Sequence, residues 1–505
     1  MFINLKLKLC TRLTVNRPPN ISIHDLDDDS LVSIFHLCRP SVYIHDIAPW
    51  GNWVHERWWY KLVKVCRRWR QLILGLASHL GLCLVCTRGT PVAVMLAHSP
   101  PLPLIVFHSD QHHNLTMEEE EGITFTLRCC DRIQRIYLEM PAPSLPKIIP
   151  AIDGQFPMLQ YLSIMPPTIH IAGLALPSTF EAPQLRLLTL KHFTSPIGSS
   201  LLSTAFGLVV LTLKCINPST FLHPNHLFEA LSLLPELEKL VICFFSPAPR
   251  RDVEMQLLHS PIVTHITLPK LYVFEFWGVS SYLEALLPNM TTPLLEVLII
   301  SFFHQLRFSV PHLRQFVITK EKIRFSSARF LFYHEAVAVF MYPLAGNSHH
   351  TFFIDVVCEH LDWQVSSLAQ IFDFLEPAFS AIADLTLDYT VHSLSSGRHH
   401  HAGRRLWREL LGTFKNVRTL CVHKGLVGDL SDSLCSEGDS LQLLPELKEL
   451  ICPSQNVDDD TFTPFIRERH VAGRPVNLIG KAFPVSLTNY TFDSSYGPIY
   501  IQSDS

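Results

Sequence analysis

The chain carries no large excess of charge of either sign. Its 505 residues contain 41 Lys and Arg against 45 Asp and Glu, which gives a net charge of −4 at pH 7, and only 17% of the residues are charged. A protein that binds nucleic acid through its phosphates needs a basic face. A disordered chain combines low hydrophobicity with high net charge, whereas 48% of this chain is apolar. The composition therefore predicts a folded protein without a nucleic acid partner.

The sequence also lacks a convincing membrane-spanning run, although its mean hydropathy is +0.21. A long uncharged stretch, residues 192–213, is interrupted by Pro196, Gly198 and several hydroxyl residues, whereas a spanning helix needs about 20 predominantly apolar residues. Residues 1–19, an N-terminal segment, alternate polar and apolar side chains without the apolar core of a secretory signal. We therefore expect no membrane partner and an intracellular location, cytoplasmic or nuclear, where the 13 cysteines stay reduced.

Motifs of enzyme, nucleotide and metal sites are missing as well. The sequence has no GxGxxG and no GxxxxGK followed by Ser or Thr. Cys83 and Cys86 form a lone CxxC pair among apolar neighbours, whereas a structural zinc site needs further ligands at matching spacing. The histidines at 349–350 and 399–401 stand in stretches typical of exposed loops. We expect a non-enzymatic protein with no catalytic residue, metal or cofactor; the alternative is an enzyme whose site is assembled from distant residues.

A six-residue pattern keeps returning from residue 131 onward, with apolar residues at its first, fourth and sixth places. The steps between neighbouring copies cluster near the repeat length of leucine-rich arrays, about 20–29 residues. The segments LLPELEKL at 233–240 and LLPELKEL at 443–450 are near-duplicates. The copies are Ile133-Ile136-Leu138, Leu159-Leu162-Ile164, Leu185-Leu188-Leu190, Leu208-Leu211-Leu213, Leu237-Leu240-Ile242, Leu271-Phe274-Phe276, Leu295-Leu298-Ile300, Leu313-Phe316-Ile318, Ile382-Leu385-Leu387, Val417-Leu420-Val422 and Leu447-Leu450-Cys452.

The fourth and sixth places share one face of a strand, because side chains alternate along an extended chain. Helical spacing in the intervening segments predicts that each strand is followed by a helix and that stacked neighbours share a core. The pattern resembles the leucine-rich-repeat family in an irregular form, which implies a solenoid of parallel strands plus helices over 131–480 and a C-terminal tail over 481–505. A large α/β domain with coincidental matches is the alternative. The predicted helices are 226–234, 282–287, 367–379, 404–414 and 462–472.

Residues 325–342 interrupt this pattern. Phe330, Phe332, Val337, Val339 and Met341 alternate with other residues, and the segment lacks a helical partner of its own. The alternation predicts a β-hairpin, either replacing a repeat or inserted into the solenoid.

Residues 20–80 carry two apolar helical patterns. The first follows Asp27, Asp28 and Asp29, and acidic residues favour the first turn of a helix. The second runs from Trp58 to Leu74 with one apolar stripe at spacings of three and four.

These patterns resemble the F-box. LDDDSLVSIFHL followed by LVKVCRRWRQLI matches its start, its Ile-Phe pair and its closing Val-Cys-Arg-Arg-Trp, including Arg67 and Arg68. The chain departs from the family at Asp27 and Ser30 and by an apparent insertion at about 40–57. The resemblance implies a three-helix module at 20–80 that binds an adaptor, followed by a connecting region over 81–130. The adaptor-binding residues that it implies are Leu26, Leu31, Ile34, Phe35, Val65, Cys66, Trp69 and Leu72.

An F-box followed by leucine-rich repeats is similar to the expanded F-box families of mushroom-forming fungi. It implies the substrate-recognition subunit of a Skp-cullin-F-box ubiquitin ligase, whose partners are a Skp-type adaptor, through it a cullin-RING ligase, and an unidentified protein substrate. The alternative is a leucine-rich-repeat scaffold that binds proteins without a ligase link. The strand residues that alternate with the leucines are often apolar, which predicts a protein-binding face. The substrate-binding residues predicted there are Tyr161, Val241, Val273, Glu275, Trp277 and Ile299.

Overall fold

A computed structural model gives the fold of the chain. It describes residues 23–39, 57–109, 115–141, 143–166, 174–193, 200–216, 224–244, 264–303, 305, 307–319, 325–333, 336–343, 351–389, 402–435, 442–452 and 461–480.

The described residues form a long, mostly parallel sheet of sixteen strands, which alternate with helices along the chain, and a second sheet of two short strands. The strands are β1 (Leu84–Cys86), β2 (Leu104–Ser109), β3 (Ile133–Glu139), β4 (Tyr161–Ile164), β5 (Leu187–Lys191), β6 (Val210–Ile216), β7 (Lys239–Phe244), β8 (Ile266–Thr267), β9 (Val273–Gly278), β10 (Met290–Thr291), β11 (Val297–Phe303), β12 (Phe325–Phe332), β13 (Ala336–Pro343), β14 (Thr351–Val357), β15 (Asp384–Tyr389), β16 (Thr419–Val422), β17 (Glu449–Ile451) and β18 (Asn477–Ile479).

The α-helices of the described residues are mostly short; the first three precede β1, and the others lie between strands. They are Asp28–Cys38, Trp59–Leu62, Arg67–Gly75, Val92–His98, Met117–Leu127, Leu145–Ile148, Ser200–Thr204, Pro224–Leu231, Ser280–Leu286, Pro311–Thr319, Leu361–Phe379, Arg404–Gly412, Val427–Leu434 and Thr463–Val471.

The chain divides into two compact units, and the division falls inside β3. Unit 1 comprises residues 1–108 and 116–135, and unit 2 comprises residues 109–115 and 136–505. Unit 1 holds the helices that resemble the F-box together with β1, β2 and the start of β3.

The short helix Trp59–Leu62 of unit 1 is tied to strand β1. Trp59 donates its indole hydrogen to the Cys83 carbonyl at 3.3 Å, and Tyr60 Oη accepts from the Val85 amide at 3.4 Å. Arg57 donates to the Val85 carbonyl and to Thr87 Oγ1 at 3.3 and 2.7 Å. This helix is therefore part of a mixed strand-and-helix unit, and the predicted connecting region 81–130 itself contains strands.

The continuous helical stripe predicted from Trp58 to Leu74 is wrong. The segment contains two helices, and the second begins after Cys66, whose Sγ accepts a hydrogen bond from the Trp69 amide at 3.5 Å. Val65, predicted on the stripe, is 54% exposed. Because the break changes the direction of the chain, three- and four-residue spacing does not carry one face across it.

In unit 2 the leucine pattern forms the predicted strands. Every copy except Leu313-Phe316-Ile318 places its fourth residue on a strand, and neighbouring strands pair fourth place to fourth place, as in Leu162↔Leu188 and Leu188↔Leu211. Leu162, Leu188 and Leu211 are completely buried. The buried strand face and the parallel register are confirmed.

Residues 313–318 are helical, so the strand predicted there is wrong. They lie in the helix Pro311–Thr319, in which Leu313 and Val317 are buried while Ile318 is 42% exposed. The buried residues Leu313 and Val317 are four apart, which places them on one face of a helix.

The hairpin predicted at 325–342 is confirmed: β12 and β13 pair antiparallel. A third strand, β14, pairs antiparallel with β13 and parallel with β11, so the hairpin is built into the sheet in the order β11-β14-β13-β12-β15. The expectation that this segment lacks a helical partner is wrong, because Phe330 of β12 packs on Phe372 of the helix Leu361–Phe379 with ring centroids 5.2 Å apart.

The other predicted helices are confirmed with shifted ends, since each predicted segment overlaps a helix of unit 2. The Glu118–Glu121 run opens the helix Met117–Leu127, whose first turn is held by a capping box between Thr116 and Glu119. Within the described residues, no helix is both long enough and apolar enough to cross a membrane.

Candidate functional site

Each strand of unit 2 has two faces, and the helices pack on the leucine face. Phe276 stacks on Tyr282 of the helix Ser280–Leu286 at 6.0 Å, and Phe332 contacts Trp407 of the helix Arg404–Gly412 at 5.5 Å. The residues that alternate with these phenylalanines point the other way.

The strand pairing aligns those alternating residues into a continuous row, here called the middle row. Together with the residues two positions before and after it on each strand, the middle row makes up the second face. The middle row consists of Ser163, Thr189, Thr212, Val241, Glu275, Ile299, Phe353, Phe340, Arg329, Thr386, Cys421 and Ile451.

Five of the six predicted substrate-binding residues lie together on this face. Val241, Glu275 and Ile299 are direct register partners on β7, β9 and β11, and Val273 and Trp277 flank Glu275 on β9. Tyr161 lies apart from them on β4, because β5 and β6 intervene before β7.

These residues are not equally accessible. Val273, Trp277 and Ile299, like Tyr161, are half-buried, whereas Val241 and Glu275 are buried. Sequence alternation assigns a residue to a face, but exposure also depends on what its neighbours cover, so Val241 and Glu275 offer little surface to a partner.

Glu275 has an internal hydrogen-bond donor. Trp277, two residues further along β9, donates its indole hydrogen to Glu275 Oε1 at 2.9 Å. A buried carboxylate is costly unless it is hydrogen-bonded, and the bond also fixes the orientation of the half-buried indole ring. Trp277 is therefore a preorganised aromatic side chain on this face.

A second buried carboxylate lies two strands away. Asp355 on β14 is the register partner of Ser301 on β11, and Ser301 Oγ donates to Asp355 Oδ2 at 3.0 Å. Burial raises the pKa of Asp355 from its ordinary value of 3.8 to about 7, against the opposing effect of hydrogen bonds from Ser301 and the Val356 amide. Hence the charge on this part of the second face changes near neutral pH.

Aromatic side chains occupy the adjoining strands. Phe340 and Phe353 are register partners on β13 and β14, with ring centroids 5.0 Å apart in an edge-to-face arrangement, and both are half-buried. Beside them Arg329 pairs with Asp388 at 2.5 Å across β12 and β15. The centre of the second face thus combines apolar and aromatic surface with a neutralised ion pair.

The residues matched to the F-box divide by exposure. Leu31, Phe35 and Trp69 are buried inside unit 1, and the Phe35 and Trp69 rings meet edge-to-face at 5.0 Å. In this structure they hold helices together and are not presented to a partner. Leu26, Ile34, Cys66 and Leu72 are half-buried, and Val65 is exposed.

The two departures from the F-box pattern have a structural role. Asp27 Oδ1 accepts from the Ser30 amide at 2.6 Å, which caps the helix Asp28–Cys38. Hydrogen bonds from the backbone and side chain of Ser30 hold the pKa of Asp27 below its usual range. Arg68 of the helix Arg67–Gly75 pairs with Asp28 at 2.6 Å and donates to the Leu26 carbonyl. These contacts join that helix to the helix Asp28–Cys38.

No group of three or more His, Cys, Asp or Glu that could hold a metal ion occurs in the part of the chain that the structure describes. Cys83 and Cys86 are buried, while the histidines at 349–350 and 399–401 lie outside the described residues. A cavity of about 610 Å³ is lined by Gly412, Lys415, Gln442, Pro445, Ala472 and Arg474, which include no hydroxyl, thiol, imidazole or carboxylate side chain.

Sequence reasoning missed Phe353, Asp355 and the strand that carries them. β14 has apolar residues at Phe352 and Ile354, the fourth and sixth places of the pattern, but its first place is His349. Strands β1 and β2, which pair in parallel in unit 1, were missed in the same way. A search for alternating apolar triplets without the first place finds β14.

Comparison with known proteins gives little beyond this geometry. No protein-family model matches the chain, and no curated protein matches it. A solved structure described as a complex of TLR13 with ssRNA13 matches with a TM-score of 0.31 at 13% identity, over 79% of this chain and 48% of the other. The chain therefore spans about half the length of the chain that it matches. The repeat assignment rests on the strand register of this chain itself.

Strand after strand pairs leucine to leucine in parallel, with helices on the leucine face. Unit 2 has a leucine-rich-repeat-like fold. In such an array the face away from the helices is continuous over many strands, which makes it the candidate binding surface.

Proposed function

We propose that this protein binds a partner protein through the second face of unit 2 and acts by recognition without catalysis. The observation that carries the proposal is the cluster of half-buried apolar and aromatic side chains on neighbouring strands, Val273, Trp277, Ile299, Phe353 and Phe340. Contiguous apolar surface of this kind usually marks an interaction site, and aromatic anchors are enriched where binding energy concentrates.

The test uses proximity labelling to identify partners and direct binding of a purified partner to the purified full chain. Replacing Ile299 by Asp should weaken binding at least tenfold, because it places a charge in apolar contact surface. Phe206→Asp is the matched control, since Phe206 is 58% exposed and does not belong to the second face. Thermal melting of both variants checks that they fold. Binding that survives Ile299→Asp, or the lack of any specific protein partner, contradicts the proposal.

We further propose that unit 1 docks a Skp-type adaptor, so that the chain is the substrate-recognition subunit of a cullin-RING ubiquitin ligase inside the cell. The support is the match of Val65-Cys66-Arg67-Arg68-Trp69 to the closing F-box motif. Val65 lies exposed between two helices and Ile34 is half-buried, so both offer apolar surface that a partner can cover.

Co-purification of the full chain with a Skp-type adaptor and a cullin tests this link. Val65→Glu should abolish co-purification, while Val94→Glu should not, because Val94 is equally exposed at 59% but belongs to the helix Val92–His98 outside the motif. If the wild type does not bind the adaptor, the chain is a protein-binding scaffold without a ligase link.

A further inference from the structure

On the second face, strands β5, β6 and β7 carry only positive formal charges. Lys191 on β5 and Lys214 on β6 are direct register partners, and Lys239 follows on β7. Strands in a sheet lie about 4.8 Å apart, and like charges directly opposite each other are destabilising. The ion pairs formed among the described residues include neither Lys191 nor Lys214.

The last strands of the same face carry only negative formal charges. Asp384 and Asp388 lie on β15, and Glu449 lies on β17 in register with Asp384 through Thr419 of β16. Asp388 is paired with Arg329 of β12. Asp384 and Glu449 are exposed, and neither takes part in an ion pair among the described residues.

The strands between these ends carry the apolar and aromatic side chains already described, and their carboxylates are buried. Glu275 accepts from Trp277, and Asp355 accepts from Ser301. The two ends therefore differ in charge sign, and the centre presents apolar surface. Seven strand steps separate β6 from β15, which is about 34 Å along the sheet.

We infer that unit 2 recognises an extended protein segment that has acidic residues at one end, apolar or aromatic residues in its middle and basic residues at the other end. This inference rests on the proposed function and specifies the chemistry of the partner. The acidic end lies over Lys191 and Lys214, and the basic end lies over Asp384 and Glu449. About ten extended residues bridge 34 Å.

Charge complementarity selects a protein segment over a nucleic acid. A phosphate backbone is negative along its whole length, so it would match the lysine strands and be repelled by Asp384 and Glu449. A segment with separated charges matches both ends, and complementary potentials give specificity and set the direction in which the segment binds.

Two synthetic peptides of equal composition test the inference by fluorescence anisotropy at low ionic strength. In the polarised peptide three Glu precede eight alternating Leu, Phe and Ser residues, and three Lys follow them. In the mixed peptide the same Glu and Lys residues alternate at both ends. We expect the polarised peptide to bind the full chain at least tenfold more tightly than the mixed one.

The double variant Lys191→Glu/Lys214→Glu should weaken the polarised peptide at least tenfold, and a peptide whose Glu residues are replaced by Lys should regain that affinity. The control is Arg404→Glu/Arg405→Glu, an exposed double charge reversal on the helix Arg404–Gly412, which should leave binding unchanged. Thermal melting confirms that each variant is folded.

Three results would overturn the inference. They are equal affinity for both peptides, unchanged affinity of the lysine variant for the polarised peptide, and no saturable binding of that peptide up to about 1 mM. A single-stranded oligonucleotide that binds as tightly as the polarised peptide also overturns it. These failures can be distinguished from failure of the proposed function. If Ile299→Asp abolishes capture of a natural partner while the lysine variant does not, the proposed binding face is supported and the proposed charge pattern of the partner is contradicted.

Discussion

The hydroxyl of Ser301 donates a hydrogen bond to Oδ2 of Asp355 on the neighbouring strand, and both side chains are buried. A carboxylic acid in this position keeps its proton to higher pH than the same group in the unfolded chain, because burial disfavours its charged form.

This arrangement predicts a pH dependence of stability. Below its ordinary pKa of 3.8, Asp355 is protonated in both the folded and the unfolded state, so it does not lower the free energy of unfolding. As the pH rises towards 7, the unfolded state loses the proton first, so the free energy of unfolding falls by roughly 4 kcal/mol and then levels off. Asp355→Asn should remove this fall, making the variant more stable than wild type at pH 8 but not at pH 4.

Urea unfolding of wild type and variant at both pH values measures the effect. Asp384→Asn is the control, since Asp384 is exposed and its removal should leave the difference between the two pH values intact. Parallel pH profiles for wild type and Asp355→Asn would show that Asp355 does not carry this dependence.

The two faces of β5 should respond differently to truncation. Leu188 is completely buried on the leucine face, so Leu188→Ala should lower the free energy of unfolding by about 2–5 kcal/mol. Its neighbour Thr189 is half-buried on the second face, and Thr189→Ala should change it by less than about 0.5 kcal/mol. Denaturant titration of both variants tests the assignment of faces, which fails if Thr189→Ala costs as much as Leu188→Ala.

Gly278 at the end of β9 should not tolerate a side chain. A Cβ there would lie 2.9 Å from ring atoms of both Phe244 and Phe276, so Gly278→Ala should cost about 1–3 kcal/mol of stability through displaced rings. Gly207→Ala is the matched substitution in open space, because no atom lies within 4 Å of its Cβ position, and it should be neutral or slightly stabilising. Equal melting temperatures for the two variants would contradict the close contact.

The opposed lysines of β5 and β6 predict a gain in stability on charge reversal. Lys214→Glu turns a repulsive cross-strand pair with Lys191 into an attractive one, which should raise the free energy of unfolding by about 0.2–1 kcal/mol. Lys214→Gln, which only removes the charge, should give a smaller gain. A stability loss in Lys214→Glu at low ionic strength would show that the two side chains do not repel each other.

Replacing Trp69 should lower the stability of the fold, whatever its effect on adaptor binding. It is 7% exposed and packs edge-on against Phe35, so Trp69→Ala should cost about 3–5 kcal/mol, whereas Val65→Ala at an exposed position should cost little. Denaturant titration followed by circular dichroism measures the difference between the two variants. For this reason loss of adaptor binding in Trp69→Ala would not by itself identify a contact residue, and Val65→Glu is the cleaner variant.

The strands that carry the leucine pattern were predictable because each repeat buries two alternating residues. Periodic burial produces a periodic pattern of apolar residues in the sequence. Leu313-Phe316-Ile318 shows the limit of that signal. Three apolar residues with gaps of three and two satisfy a strand pattern and also place two side chains near one helix face, so the choice depends on tertiary context.

The second face of unit 2 was predictable in its outline, but the exposure of its residues was not. Alternation on β9 assigned Val273, Glu275 and Trp277 to one face correctly. It could not show that Trp277 supplies the hydrogen bond of Glu275, or that Asp355, 80 residues further along the sequence from Glu275, lies two strands away. Which residues lie on neighbouring strands depends on the strand order. Here the inserted β12 and β13 change that order, so sequence spacing does not predict it.

That insertion has a consequence for how the chain folds. Elsewhere in the long sheet of unit 2 each strand pairs with the preceding strand of that sheet, so structure can spread from one repeat to the next. At β12–β14 the chain runs in the opposite spatial order, and β11 remains without its following neighbour until the last of the three strands is in place. The helix Leu361–Phe379 then crosses back, and its Phe379 contacts Phe325 of β12 and Phe352 of β14 at 5.7 and 6.0 Å. We therefore expect β12, β13, β14 and the helix Leu361–Phe379 to form together, because none of the three strands completes the sheet beside β11 without the others.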